Sequence, residues 1–265
     1  MGRLTAYFFK MFRQWERPVQ VGFVLALILS LVVLAVVLTG PRDLRQPAMI
    51  GLIGLVIALQ VIFMWANRGL VTPFTRAQRA YLAGDLETAC RLLEALHDEG
   101  AASVQALTLL GNAYRQLGEL ERSERVLLEA LEVEPNHYFP LYGFGRTLLV
   151  EGRYSEAAEM LRRAAEAGAP GVVQLDLGEV LYRQDEKESA REALIAGLPA
   201  AEDAPRRLMG AYLLYRMGSA EPPDPELIQQ GLVFWQANAE RFAATPYGQA
   251  LAQDIETMQA IMKEP

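Results

Sequence analysis

The sequence predicts an all-α protein, a two-helix transmembrane hairpin followed by an α-solenoid of stacked helix hairpins. Three observations carry that reading. Two uncharged apolar runs lie close together near the start, the rest of the chain repeats with a period of about 34 residues, and charge divides between the two parts. Residues 1–72 hold seven bases against two acids, and the remainder of the 265-residue chain holds 18 bases against 30 acids. A basic front of net charge +5 thus precedes an acidic body of −12. The acidic body argues against nucleic acid as a partner, because phosphate contacts need clustered Lys and Arg. One cysteine, Cys90, excludes an intramolecular disulfide, and His97 and His137 have no metal-ligand spacing, so neither a metal nor a cofactor is expected.

Over residues 1–18, Leu4, Tyr7, Phe8, Met11, Phe12 and Trp15 recur at helical spacing, with Arg3, Lys10, Arg13 and Arg17 on the other side. This pattern predicts an amphipathic helix lying in the headgroup layer, and Pro18 ends it. Val19–Leu38 and Ala48–Ala66 then carry no charge over 20 and 19 residues, each enough to cross the ~30 Å hydrocarbon core. The short link Thr39–Pro47 makes the two spans antiparallel neighbours within residues 19–66. A cleaved signal peptide fits poorly, since the first run is long, lacks an A-x-A site and is followed by a second span. Gly22, Ala26 and Ser30 in the first span and Ala48, Gly51, Gly54 and Ala58 in the second are small side chains that pack the hairpin against itself or admit other transmembrane helices. Gln60, the one strongly polar residue near mid-span, is thin support for a transport path. Bases outside the link outnumber Arg42 and Arg45 within it, which predicts an integral membrane protein with its N-terminus and repeats in the cytoplasm, in the inner membrane if the source is bacterial. The linker 67–72 spans at most ~20 Å, keeping the repeats beside the bilayer.

From Pro73 onward, Ala77, Gly111, Gly145 and Gly178 recur at spacings of 34, 34 and 33. Gly84, Gly118, Gly152 and Asp185 follow each by seven residues, then Ala89, Ser123, Ala157 and Ala190, then Leu93, Leu127, Leu161 and Leu194. A helix hairpin explains the series: a small residue where the first helix crosses its partner, a turn residue able to adopt a left-handed backbone, a second small residue, and a leucine filling the core between units. One such hairpin cannot bury its own face, so neighbours must stack.

These residues resemble the tetratricopeptide repeat family. Leu110-Gly111-Asn112-Ala113-Tyr114, Gly118 and the Ala130–Pro135 stretch carry its signature, best in units 104–136 and 138–170 and more worn in 73–100 and 171–199. A degenerate fifth unit covers 204–220, and C-terminal helices over 224–265, started by Asp224-Pro225 and Thr245-Pro246, cap the stack. Tyr247, Leu251, Ile255, Met258 and Met262 form the apolar face of the last helix.

The resemblance implies a concave groove lined by the first helices, binding a protein or peptide. Carried over position by position, the groove residues are Phe74, Gln78 and Tyr81, then Gln105, Thr108, Asn112 and Arg115, then Phe139, Tyr142 and Arg146. Leu175, Glu179 and Tyr182 come from the fourth unit, and Tyr212 and Tyr215 from the fifth. Tyr and Arg are what interface hot spots use. Family members that clamp a C-terminal carboxylate use paired Lys and Asn. Here Asn112, Arg115 and Arg146 give a partial likeness without the lysines. No catalytic motif is present, and the acids read as solvated faces or i,i+4 partners of Arg. The resulting expectation is a non-enzymatic, membrane-anchored scaffold whose partners are a groove ligand, the lipid bilayer and, in one version, other transmembrane helices. A structural subunit held through its spans and an assembly factor of reversed topology stand as alternatives.

Overall fold

The computed structural model describes residues 12–13, 15–67 and 72–263. Leu4, Tyr7, Phe8 and Met11 of the expected interfacial helix, and residues 68–71 of the linker, lie outside the described residues. Among the described residues the regular structure is helical throughout, with no strand. The chain divides into two units, Met1–Thr72 and Pro73–Pro265.

In the first unit, α1 (Arg17–Thr39) packs against α2 (Arg42–Asn67). The connection is tighter than the expected link, because Arg42–Pro47 already belong to α2 and only Gly40 and Pro41 lie between the helices. The Gly40 N–H bonds the Val36 carbonyl at 2.8 Å, and a Cβ there would sit 2.5 Å from that oxygen. Glycine therefore lets the chain turn this soon. Near the other end, Trp15 is 6 % exposed and meets Phe23 and Phe63 edge-on at 5.3 and 5.8 Å, joining the two helices. A Cβ at Gly22, Gly51 or Gly54 would meet nothing within 4 Å. These glycines therefore do not serve the contact of the hairpin with itself, contrary to one of the two uses open from sequence.

The second unit is a series of antiparallel pairs: α3 (Pro73–Leu82) with α4 (Leu86–Asp98), α5 (Val104–Leu117) with α6 (Leu120–Val133), α7 (Tyr138–Glu151) with α8 (Tyr154–Glu166), and α9 (Val173–Arg183) with α10 (Lys187–Gly197). A single 3₁₀ turn, Leu198–Ala200, leads into α11 (Ala204–Arg216), α12 (Pro225–Arg241) and α13 (Pro246–Ile261). The four inter-helix turns carry left-handed residues in register: Gly84, Gly118 and Gly152 at φ 80°, 83° and 81°, and Asp185 at 63°. Aspartate is among the few side chains that tolerate this region.

The repeat's small residues act where the sequence series put them. A Cβ at Gly111 would lie 2.5 Å from Leu127 Cγ, one at Gly145 2.8 Å from Leu161 Cγ, and one at Gly178 2.6 Å from Leu194 Cγ. The leucines thus close each pair internally. Leu127 also lies 3.0 Å from a Cβ built at Gly143 of the next unit, so this one residue joins two repeats. All three leucines are buried. Helix starts are capped by Ser103, Asp203, Asp224 and Thr245, and by His137, whose Nδ1 accepts the Phe139 N–H at 3.1 Å.

The last two helices do more than continue the stack. Helix α13 packs along α12 and also reaches back to α7, in the third pair. Its Tyr247, Leu251, Ile255 and Met258 join one apolar core with residues of α7, α9 and α11, while Met262 stays exposed. Pro246, at its start, lies against the Gly152 turn, 3.0 Å from a Cβ built there.

Candidate functional site

Side chains of the first helices separate into a polar cluster and a set engaged by the chain's own α13. The polar cluster gathers Tyr81 (α3), Asn112 and Arg115 (α5), and Tyr142 and Arg146 (α7), residues far apart in sequence. Asp176 of α9 and Arg206 of α11 complete it. Tyr142 donates its hydroxyl hydrogen to Asp176, while Arg206 Nη2 donates to the Tyr142 oxygen at 3.5 Å. Arg146 Nε lies 3.7 Å from Asp176 Oδ1, and its guanidinium stands 5.8 Å from the Tyr142 ring centre. Arg115 is 5 % exposed and donates to Asn112 Oδ1 at 3.4 Å, whereas its Nε has no acceptor. The Tyr81 hydroxyl oxygen accepts from the Gln116 amide.

Electrostatics separate the two arginines. Burial pushes the Arg115 guanidinium below the usual arginine range, and the like charge of Arg146 adds to that. Burial is the largest influence on Arg146 and acts in the same direction, but Asp176 together with Tyr142, Tyr81 and Tyr247 outweighs it and raises Arg146. Tyr142 is raised by burial and by the adjacent Asp176.

At the other end, groove positions meet α13. Arg183 forms ion pairs with Glu179 at 3.2 Å and with Asp254 of α13 at 2.6 Å. Tyr212 donates to Asp254 Oδ1 at 3.0 Å and accepts from Arg216 at 2.6 Å. Arg183 also stands 5.7 Å from the Tyr247 ring centre. Burial raises Glu179, with Arg183 partly offsetting it. Burial likewise lifts Tyr247 well above the phenol range and pushes Tyr212 up to about 12, where Asp254 adds to the effect.

The residues expected in the groove therefore divide by environment. Tyr81, Asn112, Arg115, Tyr142 and Arg146 converge. Glu179 and Tyr212, 3 % and 0 % exposed, face the protein's own C-terminal helix. Thr108 is fully buried and donates to the Val104 carbonyl at 2.8 Å. Leu175 belongs to the core, and Tyr182 is partly buried against it. Phe74 packs on the core of the first two pairs, Gln78 and Gln105 are exposed, and Phe139 and Tyr215 are half-buried. Asp176 and Arg206 were missed by position-for-position transfer. The signal was present for Asp176, an acid flanked directly by Leu175 and Leu177.

Cys90 is buried and its thiol is pushed up to about 11 by burial and Glu94. His97 pairs with Glu129 at 2.8 Å. Among the described residues no group of three or more His, Cys, Asp or Glu is placed to hold a metal ion.

The described helix pairs, antiparallel and joined by left-handed turns in register, have the form of a tetratricopeptide-like solenoid. Residues 104–137 match one tetratricopeptide repeat family model and residues 74–95 match another. Among solved structures the chain is similar to TTC0263, a thermophilic tetratricopeptide repeat protein of Thermus thermophilus, at 17 % identity and a TM-score of 0.51, over 71 % of this chain and 97 % of that one. It is also similar to MamA of Desulfovibrio magneticus, at 20 % identity and a TM-score of 0.47, over 72 % of this chain and 96 % of that one. At 17 % identity the likeness to TTC0263 is one of fold alone. No curated protein matches the chain.

Proposed function

We propose that this protein is a membrane-anchored scaffold that holds a partner protein in the concave face of its repeats, in the assembly of a membrane complex. The observation that carries the reading is the convergence of Tyr81, Arg115, Tyr142 and Arg146 from three successive first helices onto one concave cluster. Aromatic area and guanidinium groups are what protein recognition draws on. The anchor reading is supported by two helices of 23 and 25 residues, Arg17–Thr39 and Arg42–Ala66, with mean hydropathy 3.2 and 2.4. Their side chains stay exposed within their own unit, Leu25, Leu31, Ile50 and Met64 all by more than half, which suits lipid rather than water. The basic flanks place the repeats on the cytoplasmic side in this reading.

The test is a mild-detergent pull-down of the full-length protein beside a Tyr142→Ala/Arg146→Glu variant. A partner that accompanies the wild type and disappears from the variant supports the reading. Partners retained equally by both refute the concave site and transfer the interaction to the spans or the convex face. A reporter fused after Pro265 checks the topology, and an extracytoplasmic signal reverses it.

A further inference from the structure

An apolar run offers a polar side chain few partners, and in the first unit one amide goes without. Within Val19–Leu38 and Ala48–Ala66 the non-aromatic polar side chains are Gln20, Ser30 and Gln60. Gln20 Nε2 donates to the Phe12 and Trp15 carbonyls at 2.9 and 3.0 Å, and Ser30 Oγ donates to the Ala26 carbonyl at 2.7 Å. Gln60 is exposed, and its amide has no hydrogen-bond partner among the described residues. It stands three residues past Ile57, the centre of its run, which puts it about 4.5 Å from mid-span. In hydrocarbon no water supplies the missing bonds, so a lone amide at that depth is costly.

We propose that Gln60 is the centre of a contact between two copies of this chain in the membrane, each amide bonding the other across a two-fold axis. This rests on the anchor reading above and names a further partner for the spans. Three features select a second copy. An amide carries donor and acceptor in one group, so two of them satisfy each other with no other chemistry. Copies inserted with one topology present Gln60 at one depth, which the helix of another protein matches only by coincidence. The flanking residues also form a seam: Met49, Ile53, Val56, Gln60 and Phe63 recur at spacings of 4, 3, 4 and 3. That is the heptad pattern of paired parallel helices, in which a single core amide sets register and partner number. The four apolar members are each more than a third exposed, so the contact with α1 leaves the seam open. Beside Gln60 lies a groove of about 520 Å³ walled by Phe23, Val56, Phe63 and Met64, a hole for the side chains of a facing helix. Gly51 is nine residues from Gln60, about two and a half helical turns, and so lies on the opposite side of α2.

The test uses the full-length chain with a donor or an acceptor fluorescent protein fused after Pro265, reconstituted in phosphatidylcholine vesicles over a range of protein-to-lipid ratios. Energy transfer between copies is read for the wild type, Gln60→Leu, Gln60→Asn and Gly51→Leu. The wild type is expected to associate, and Gln60→Leu to need a protein-to-lipid ratio at least about fivefold higher for the same transfer. Gln60→Asn keeps an amide and Gly51→Leu leaves the seam alone, so both stay within about twofold of the wild type. On oxidation in the vesicles an Ile53→Cys/Cys90→Ala chain forms a disulfide-linked dimer, and Gly51→Cys/Cys90→Ala does not. A monomeric wild type, Gln60→Leu associating as the wild type does, Gln60→Asn as weak as Gln60→Leu, or cross-linking through position 51 alone overturns the proposal. So does a different membrane protein that co-purifies with a monomeric wild type and is lost with Gln60→Leu, which gives the amide to another protein's helix. The anchor reading fails separately: release of the wild type from membranes by an alkaline carbonate wash removes the anchor, whereas retention without association removes only the pairing.

Discussion

Replacing Asp254 by asparagine tests whether α13 is seated in the concave face. Asp254 is 5 % exposed and bonds two other helices, Arg183 of α9 at 2.6 Å and Tyr212 of α11 at 3.0 Å. Asparagine keeps the shape and an acceptor for Tyr212 but removes the charge that Arg183 faces. Breaking a buried ion pair from one side costs about 3–5 kcal/mol, because the remaining ion stays desolvated. Arg183 retains Glu179 at 3.2 Å, which puts the expected loss at the low end, about 3 kcal/mol. In a unit of this size each kcal/mol moves the melting temperature by about 2–4 °C. Asp254→Asn is therefore expected to melt roughly 6–12 °C lower by circular dichroism, with faster hydrogen exchange across 246–261. A combined Glu179→Met/Arg183→Met/Asp254→Leu variant, which removes all three ions, recovers most of the loss. The reasoning is refuted if Asp254→Asn costs less than about 1 kcal/mol, the range of solvent-exposed pairs. The carboxylate would then be in water and α13 outside the groove.

Three further outcomes follow from the same geometry. Gly84→Ala and Gly152→Ala both force alanine to positive φ, near 80°, at about 1–2 kcal/mol each. Only Gly152 has Pro246 within 3.0 Å of the new methyl, so urea titration should show Gly152→Ala as the more damaging, and equal losses would contradict the contact. Leu127→Ala, at a fully buried position shared by Gly111 and Gly143, is expected to lose about 3–5 kcal/mol in the same titration. Glu179 is held above its ordinary carboxylate range by burial, so the folded state binds its proton more readily than the unfolded chain. Its contribution to stability is complete below the unfolded value and fades as pH rises through the folded one. Paired melts should therefore show Glu179→Gln gaining on the wild type as pH rises above the ordinary carboxylate range, and a gap that narrows with rising pH would reverse the assignment.

Much of the fold was legible in the chain because its signals are local and repeated. The turn positions Gly84, Gly118, Gly152 and Asp185 sit at fixed distances from Ala77, Gly111, Gly145 and Gly178, and all four adopt the left-handed backbone that the register required. Close helix crossing leaves no room for a side chain at Gly111, Gly145 or Gly178, which is why a small residue marks each repeat. The apolar runs announce themselves by length and absence of charge.

The polar cluster was only half visible. Tyr81, Asn112, Arg115, Tyr142 and Arg146 could be proposed from repeat positions, but their grouping with Asp176 and Arg206 depends on how successive pairs rotate about the stack. The C-terminal helix was legible as a helix, with its Thr245-Pro246 start and one apolar face, yet its destination was not. Periodicity says which face is buried and is silent on what buries it. That α13 returns to α7 and places Asp254 between Arg183 and Tyr212, engaging Glu179 and Tyr212 that repeat position alone assigns to a ligand, follows from contacts between residues 42 and 71 positions apart. No local pattern encodes such a contact: only packing the assembled pairs against one another decides which charge meets which.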